Sequence, residues 1–138
     1  MTDDKWKYAT EEEWIKRVSG GGAIIMHCPN KTEAICRAAV QKDGYAIKSI
    51  SNTSEAVKLA AVQQNGCAIR YIKNPSEEIQ LAAIQQNGYA ITYIKNPSDE
   101  IIELAFNSII NSGWMIQEAI KWFNQYNIQL PLHIRLAE

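Results

Sequence analysis

Asn74–Lys95 reads NPSEEIQLAAIQQNGYAITYIK, and the 22 residues before it, Asn52–Lys73, read NTSEAVKLAAVQQNGCAIRYIK. The two stretches are identical at 15 of 22 positions without a gap. One step further back, Asn30–Ser51, NKTEAICRAAVQKDGYAIKSIS, matches Asn52–Lys73 at 11 of 22. A fixed period of this length marks a stacked array, in which each unit buries its apolar surface only against its neighbours. Asn96 opens a fourth copy, NPSDEIIELAFNSII, which gains three residues before Gly113-Trp114-Met115-Ile116 resumes the Gly-aromatic-x-Ile pattern. Upstream, Thr10, Glu11, Val18, Gly22 and Ile25 fall where Thr32, Glu33, Val40, Gly44 and Ile47 do. Three clear units are thus flanked by two eroded ones. Divergent ends are expected where an array faces water on one side.

Each unit reads as a long helix followed by a short one. Asn74 suits the N-cap, Pro75 the first helical position and Glu77 the reciprocal capping acid; Asn30/Glu33, Asn52/Glu55 and Asn96/Asp99 repeat the arrangement. Gly44, Gly66 and Gly88 are expected to end the long helix in a left-handed conformation. Ala90, Ile91 and Ile94 then follow at helical rather than alternating spacing. Ile79, Leu81, Ala82, Ala83 and Ile84 cover more than one face of the long helix, which must therefore lie between neighbours. The predicted fold is all-α: a short α-solenoid of about five 22-residue helix–turn–helix repeats with N- and C-terminal caps. Residues 1–9 form an N-terminal extension, 10–121 the helical repeat array and 122–138 a C-terminal cap. Trp114, Trp122, Phe123 and Tyr126 are expected to cover the last unit, or to join two copies as a homodimer; Trp6, Tyr8 and Trp14 are placed at the first unit.

The consensus N-P-S-E-E-[IV]-x-L-A-A-[IV]-x-Q-N-G-x-A-I-x-Y-I-K resembles a family of 22-residue helical repeats of unknown function. Such repeats occur in giant viruses, phages and bacteria that live inside eukaryotic cells. The resemblance covers residues 30–121 and is tightest in Asn52–Lys73 and Asn74–Lys95; Lys31 and Thr53 replace the proline, and Ile110 and Gly113 break the spacing. It implies a helical array, no catalytic residues, and a binding protein of viral or effector type.

The 138 residues carry 14 Lys plus Arg against 15 Asp plus Glu, a net charge of -1. That balance argues against bulk attraction to DNA or to an anionic membrane. The apolar run Ala23–Met26 has four residues, far short of the roughly 18 that span a bilayer. Met1–Asp4 is acidic and predicts no signal peptide. Three Cys without framework spacing fit a reducing compartment, so a cytoplasmic location is expected.

A 22-residue step places equivalent side chains in rows along the stack. Lys48, Arg70 and Thr92 form one row, Ser49, Tyr71 and Tyr93 a second, and Ser51, Lys73 and Lys95 a third; Glu33, Glu55, Glu77 and Asp99 form an acidic row. The chain is thus read as charge-segregated although nearly neutral. Tyr and Arg are enriched at interface hot spots, so Arg70, Tyr71, Lys73, Tyr93 and Lys95 are the candidate partner-binding residues. Against this stand helix-dipole complementarity for the charges and inter-unit packing for the tyrosines.

Other chemistry finds little footing. His27-Cys28 with Cys36 lacks the paired spacing of a metal site. Cys28 aligns with Ile50 and Ile72, a buried position, and Cys36 with Lys58 and Gln80, an exposed one. His27 and His133 have no motif partner, and Gly20-Gly21-Gly22 lacks the Lys-Ser/Thr of a phosphate loop. No metal, cofactor or enzymatic activity is expected. The sequence points to a protein–protein interaction module, an inhibitor or adaptor that occupies a target protein, in its most specific form a phage-encoded inhibitor of a bacterial defence system. Nucleic-acid binding along the basic rows is the alternative.

Overall fold

The structure is a computed structural model, and it describes residues Asp4–Leu136. All regular structure in that range is helical. A 3₁₀-helix, η1 (Asp4–Tyr8), precedes a run of alternating elements: α1 (Glu11–Gly20), η2 (Gly22–His27), α2 (Glu33–Lys42), η3 (Gly44–Ser49), α3 (Glu55–Gln64), η4 (Gly66–Tyr71), α4 (Glu77–Gln86), η5 (Gly88–Tyr93) and α5 (Asp99–Asn111). α6 (Ile116–Gln125) and a last turn, α7 (Leu132–Arg135), complete the chain.

From α1 to α6 each α-helix packs on its α-helical neighbours, and each 3₁₀-helix from η2 to η5 packs on its neighbours likewise. Two parallel ribbons result, with a continuous apolar seam between them. In the third clear unit the seam takes Ile79, Ala83 and Ile84 from α4, Ala90 and Ile91 from η5, and Ile94 just beyond. Val57, Ala61, Val62, Ala68, Ile69 and Ile72 are their equivalents one unit back. Small residues at Ala39, Ala61 and Ala83, all fully buried, let the helices approach closely. This is the expected α-solenoid. The eroded first unit, α1 with η2, stacks on α2 and η3 as a repeat should.

The local grammar differs from the expectation at three points. First, the helix N-caps are Thr32, Ser54, Ser76 and Ser98, two residues after the asparagines. Each hydroxyl accepts from the backbone N–H of the third helical residue: Ile35, Val57, Ile79 and Ile101. Asn52, Asn74 and Asn96 instead hold left-handed turns with φ of 53°, 49° and 49°. Asn tolerates that region where most side chains do not. The acids thus open the helices as first residues, and two of them bond across units: Ser54 Oγ donates to Glu33 Oε1 at 3.1 Å and Ser76 Oγ to Glu55 Oε2 at 3.2 Å. Ser76→Ala removes both a cap and an inter-unit bond, and should cost about 1–2 kcal/mol in a denaturant melt.

Second, the repeat glycines are not left-handed. Among the described residues the only glycine with positive φ is Gly113. The helices end instead at extended Asp43, Asn65 and Asn87, whose N–H groups donate to Ala39, Ala61 and Ala83 O at 2.9 Å. Their side chains then cap the 3₁₀-helices, as when Asn87 Oδ1 accepts from Tyr89 N at 3.0 Å. Gly22, Gly44 and Gly66 are required because the next unit's helix presses its last turn against them: a Cβ on Gly66 would overlap Ala83 O and sit 3.0 Å from Gln86 Oε1. That Gln86 oxygen accepts from Gly66 N at 2.6 Å, and Gln64 does the same for Gly44.

Third, the short helix is a six-residue 3₁₀-helix rather than an α-helix of about seven. The three extra residues of the last unit lengthen α5 to 13 residues, and α6, a full α-helix, follows where a 3₁₀-helix stood before. α6 runs through position 121/122, where the sequence placed the edge of the cap. Among the described residues no helix is long and apolar enough to cross a membrane.

Candidate functional site

The five candidate residues stand at the end of the 3₁₀ ribbon. Arg70 and Tyr71 close η4, and Tyr93 closes η5. Beyond each, the backbone extends at Ile72 (φ -100°, ψ 117°) and Ile94 (φ -96°, ψ 123°). Extended backbone sends successive side chains to opposite sides. Ile72 and Ile94 are therefore buried in the seam, while Tyr71, Lys73, Tyr93 and Lys95 face outward. The left-handed Asn74 then turns the chain into the next helix.

Arg70, Tyr71, Lys73, Tyr93 and Lys95 line one groove of about 570 Å³, together with Ile72, Asn74, Pro75, Gln80 and Ile94. Gln80 makes part of the wall, and its Nε2 donates to Pro75 O at 3.0 Å. The guanidinium of Arg70 lies 5.2 Å from the centre of the Tyr71 ring and 5.1 Å from that of Tyr93. Both rings remain about two-fifths exposed, at 41% and 42%. Tyr45 braces Tyr71 from the preceding unit, edge to face at 5.8 Å. Among the described residues, Arg70, Lys73 and Lys95 form no ion pair, whereas Arg37 and Lys58 are bound to Glu33 and Glu55 on their own helices.

The sequence did not single out Tyr45, Pro75 or Gln80. Tyr45 belongs to the row of Cys67 and Tyr89 and shows its contact only once the units are stacked. The acidic and basic rows also prove less separate than expected. Lys73 and Glu77 flank one inter-helix connection, and Lys95 and Asp99 flank the next. Both rows run along the same edge, because the end of each 3₁₀-helix leads directly into the start of the following α-helix.

The remaining polar groups are dispersed. Cys28 is buried as expected, at 2% exposure, but Cys36 is buried too, at 4%, contrary to the reading of its row as exposed. Its thiol reaches Lys31 O at 3.7 Å, the equivalent of the Gln80–Pro75 bond, and so stands in for an amide that folds back on the connection. Burial pushes the thiols of Cys28, Cys36 and Cys67 above the ordinary range, which keeps them protonated and weakly nucleophilic near neutral pH. His133 Nε2 lies 3.4 Å from Glu103 Oε1, with both side chains largely in solvent; His27 is exposed at the end of η2. Among the described residues, no three His, Cys, Asp or Glu side chains gather to hold a metal ion.

The array's ends are closed by aromatics. Trp14 is buried, packs against Trp6 with the rings tilted and 5.8 Å apart, and donates from Nε1 to Trp6 O at 3.2 Å, with Arg17 covering Trp6 at 3.9 Å. Tyr8, placed at the same cap by sequence, is 81% exposed. At the other end Phe123 packs on Phe106, and Trp122 joins Tyr89, Phe123 and Tyr126.

Compared with protein-family models, curated proteins and solved structures, the chain gives no match.

Proposed function

We propose that this chain is a non-enzymatic interaction module that binds a target protein through the Arg70/Tyr71/Lys73/Tyr93/Lys95 face. It acts by occupying that target, as an inhibitor or adaptor. One observation carries the reading: three cations without an ion partner among the described residues and two tyrosines about two-fifths exposed meet in a single groove. Structural roles account poorly for such a set. Dipole complementarity needs no tyrosines, and inter-unit packing would bury the rings more deeply. Aromatic and Arg side chains held on a rigid scaffold lose little entropy on binding and supply most hot-spot energy. An inhibitor encoded by a phage against a bacterial defence system is the narrower form of the proposal, supported by the repeat resemblance.

Nucleic acid is the weaker reading, since three cations neutralise few phosphates and the net charge of -1 adds no long-range attraction. The deciding measurement is quantitative capture of partners from the natural host with the wild-type chain and with Arg70→Glu/Lys73→Glu. The double reversal should weaken capture of the specific partner by about thirtyfold or more, a hot-spot-sized loss. Undiminished capture by a folded variant would remove the assignment to this face.

A further inference from the structure

The candidate groove does not end at Lys95. A second cleft, of about 550 Å³, adjoins it, and Ile94 lines both. The repeat step explains the pairing. Thr92, Ile94, Asn96, Pro97 and Ile102 line one side of the second cleft, each 22 residues after Arg70, Ile72, Asn74, Pro75 and Gln80 of the first. The other side differs in origin. Tyr93 and Lys95, from the next unit, close the first groove. After α5 the chain continues into α6 instead of a 3₁₀-helix, and residues 126–132 with Arg135 close the second.

The replacement restores a chemistry that the repeat drops. Thr92 stands where Arg70 does, so the array itself brings no cation to the second cleft. Arg135 of α7 supplies a guanidinium there and Tyr126 a ring that is 48% exposed, the same side-chain types that mark the first groove. Neither belongs to the 22-residue pattern. Leu130 and Ile134 anchor the segment, at 2% and 7% exposure, whereas Arg135 is exposed and forms no ion pair among the described residues. Together the two grooves are lined by Arg70, Lys73, Lys95 and Arg135 against one carboxylate, Asp99. Glu77, although on the same edge, lines a separate groove across α3 and α4 with Glu78. Tyr and Arg are hot-spot residues, and an excess of cations is complemented by carboxylates. We infer that the target-binding surface continues past Ile94 into the cleft under the C-terminal segment. One acidic stretch of the target polypeptide lies across both grooves, with Tyr126 and Arg135 as further binding residues. This rests on the protein-binding reading above and extends its surface.

The test is a titration of the full ¹⁵N-labelled chain, followed by amide shifts, with peptides of alternating Glu and Gly, 4 and 12 residues long. Twelve extended residues reach about 40 Å, enough to cross two grooves between helices stacked about 10 Å apart; four residues, about 13 Å, fill one. The long peptide should shift the amides of Lys73, Lys95, Gln129 and Arg135 in step, with a dissociation constant about tenfold below that of the short one. Arg135→Glu should keep the helical circular dichroism spectrum and the short peptide's affinity read at Lys73, yet cut the gain from length to about threefold or less. A 12-residue peptide of alternating Gln and Gly and a 12-nucleotide poly-dT strand are the controls, and each should bind more weakly than the long acidic peptide. A gain from length that survives Arg135→Glu, shifts confined to one groove, no binding at all, or equal or tighter binding of either control overturns the inference. If it falls while capture of the host partner still depends on Arg70 and Lys73, the target-binding face stops at Lys95. If that dependence is also absent, the protein-binding reading falls with it.

Discussion

Gly66→Ala should lower the melting temperature by about 10 °C, the effect of roughly 3 kcal/mol on a domain of this size. The added methyl would overlap the carbonyl of Ala83 in the next unit and crowd Gln86 Oε1 at 3.0 Å. A backbone carbonyl in the last turn of a packed helix has no rotamer with which to yield. Relief requires prying η4 away from α4, which also breaks the 2.6 Å bond from Gly66 N to Gln86. Overpacking costs about 1–3 kcal/mol and the lost bond about 1 more. Gly20→Ala is the control: it ends α1 with no atom within 4 Å of the new methyl, and should stabilise by about 0.5 kcal/mol. If Gly66 served only as a left-handed helix stop, a Gly66→Asn variant would retain most of the stability, since Asn tolerates that conformation. With φ unconstrained and space the limit, Asn should be at least as damaging as Ala. Thermal melts of the three variants decide between the two roles.

That contrast shows how far the sequence could be read. The period fixed the architecture, because a 22-residue self-match with apolar positions on several helix faces leaves few folds other than a stack. The glycines were legible as required, yet their reason was not: Gly after a helix signals a left-handed cap or a close approach equally well. Only the neighbouring unit's carbonyl separates the two. The stretch Asn74-Pro75-Ser76-Glu77 likewise offers two competent caps, Asn74 and Ser76. The choice of Ser76 follows from the left-handed turn at Asn74, which points the chain into the next helix. Cys36 read as exposed because its row holds the polar Lys58 and Gln80, yet Gln80 folds back on Pro75 O and the Cys36 thiol on Lys31 O. The five candidate residues were legible as rows, since a fixed step aligns them. Their convergence on one groove depended on the extended turn at Ile72 and Ile94, and the bracing by Tyr45 on tertiary contact alone.

Phe123→Ala should be the most damaging change at the C-terminal end, costing about 3–5 kcal/mol. Phe123 is fully buried within a single copy of the chain, 5.6 Å from Phe106 and 5.2 Å from Trp122. Its ring sits where α6 closes over α5, the element that ends the stack. In a repeat array each unit is held by its neighbours, so loosening the end exposes the face beneath it and the loss spreads inward with decreasing force. Hydrogen exchange should therefore rise most in α5 and α6, less in α4, and least in α2. The sequence alone allowed these aromatics to act instead as a dimer contact, and the two roles give opposite results. A residue that only joined two copies would, on truncation, yield a stable monomer with an unchanged melting temperature. A residue that caps should melt lower at every protein concentration, with the same molar mass by light scattering as the wild type. Complete burial of Phe123 by its own chain predicts the second outcome. Trp122 and Tyr126 lie further out, Tyr126 with 48% of its surface in solvent, so alanine at Tyr126 should cost about 1 kcal/mol or less. A cap whose innermost ring carries most of the loss, and whose outermost ring carries little, is the pattern that a single closed end of the solenoid requires.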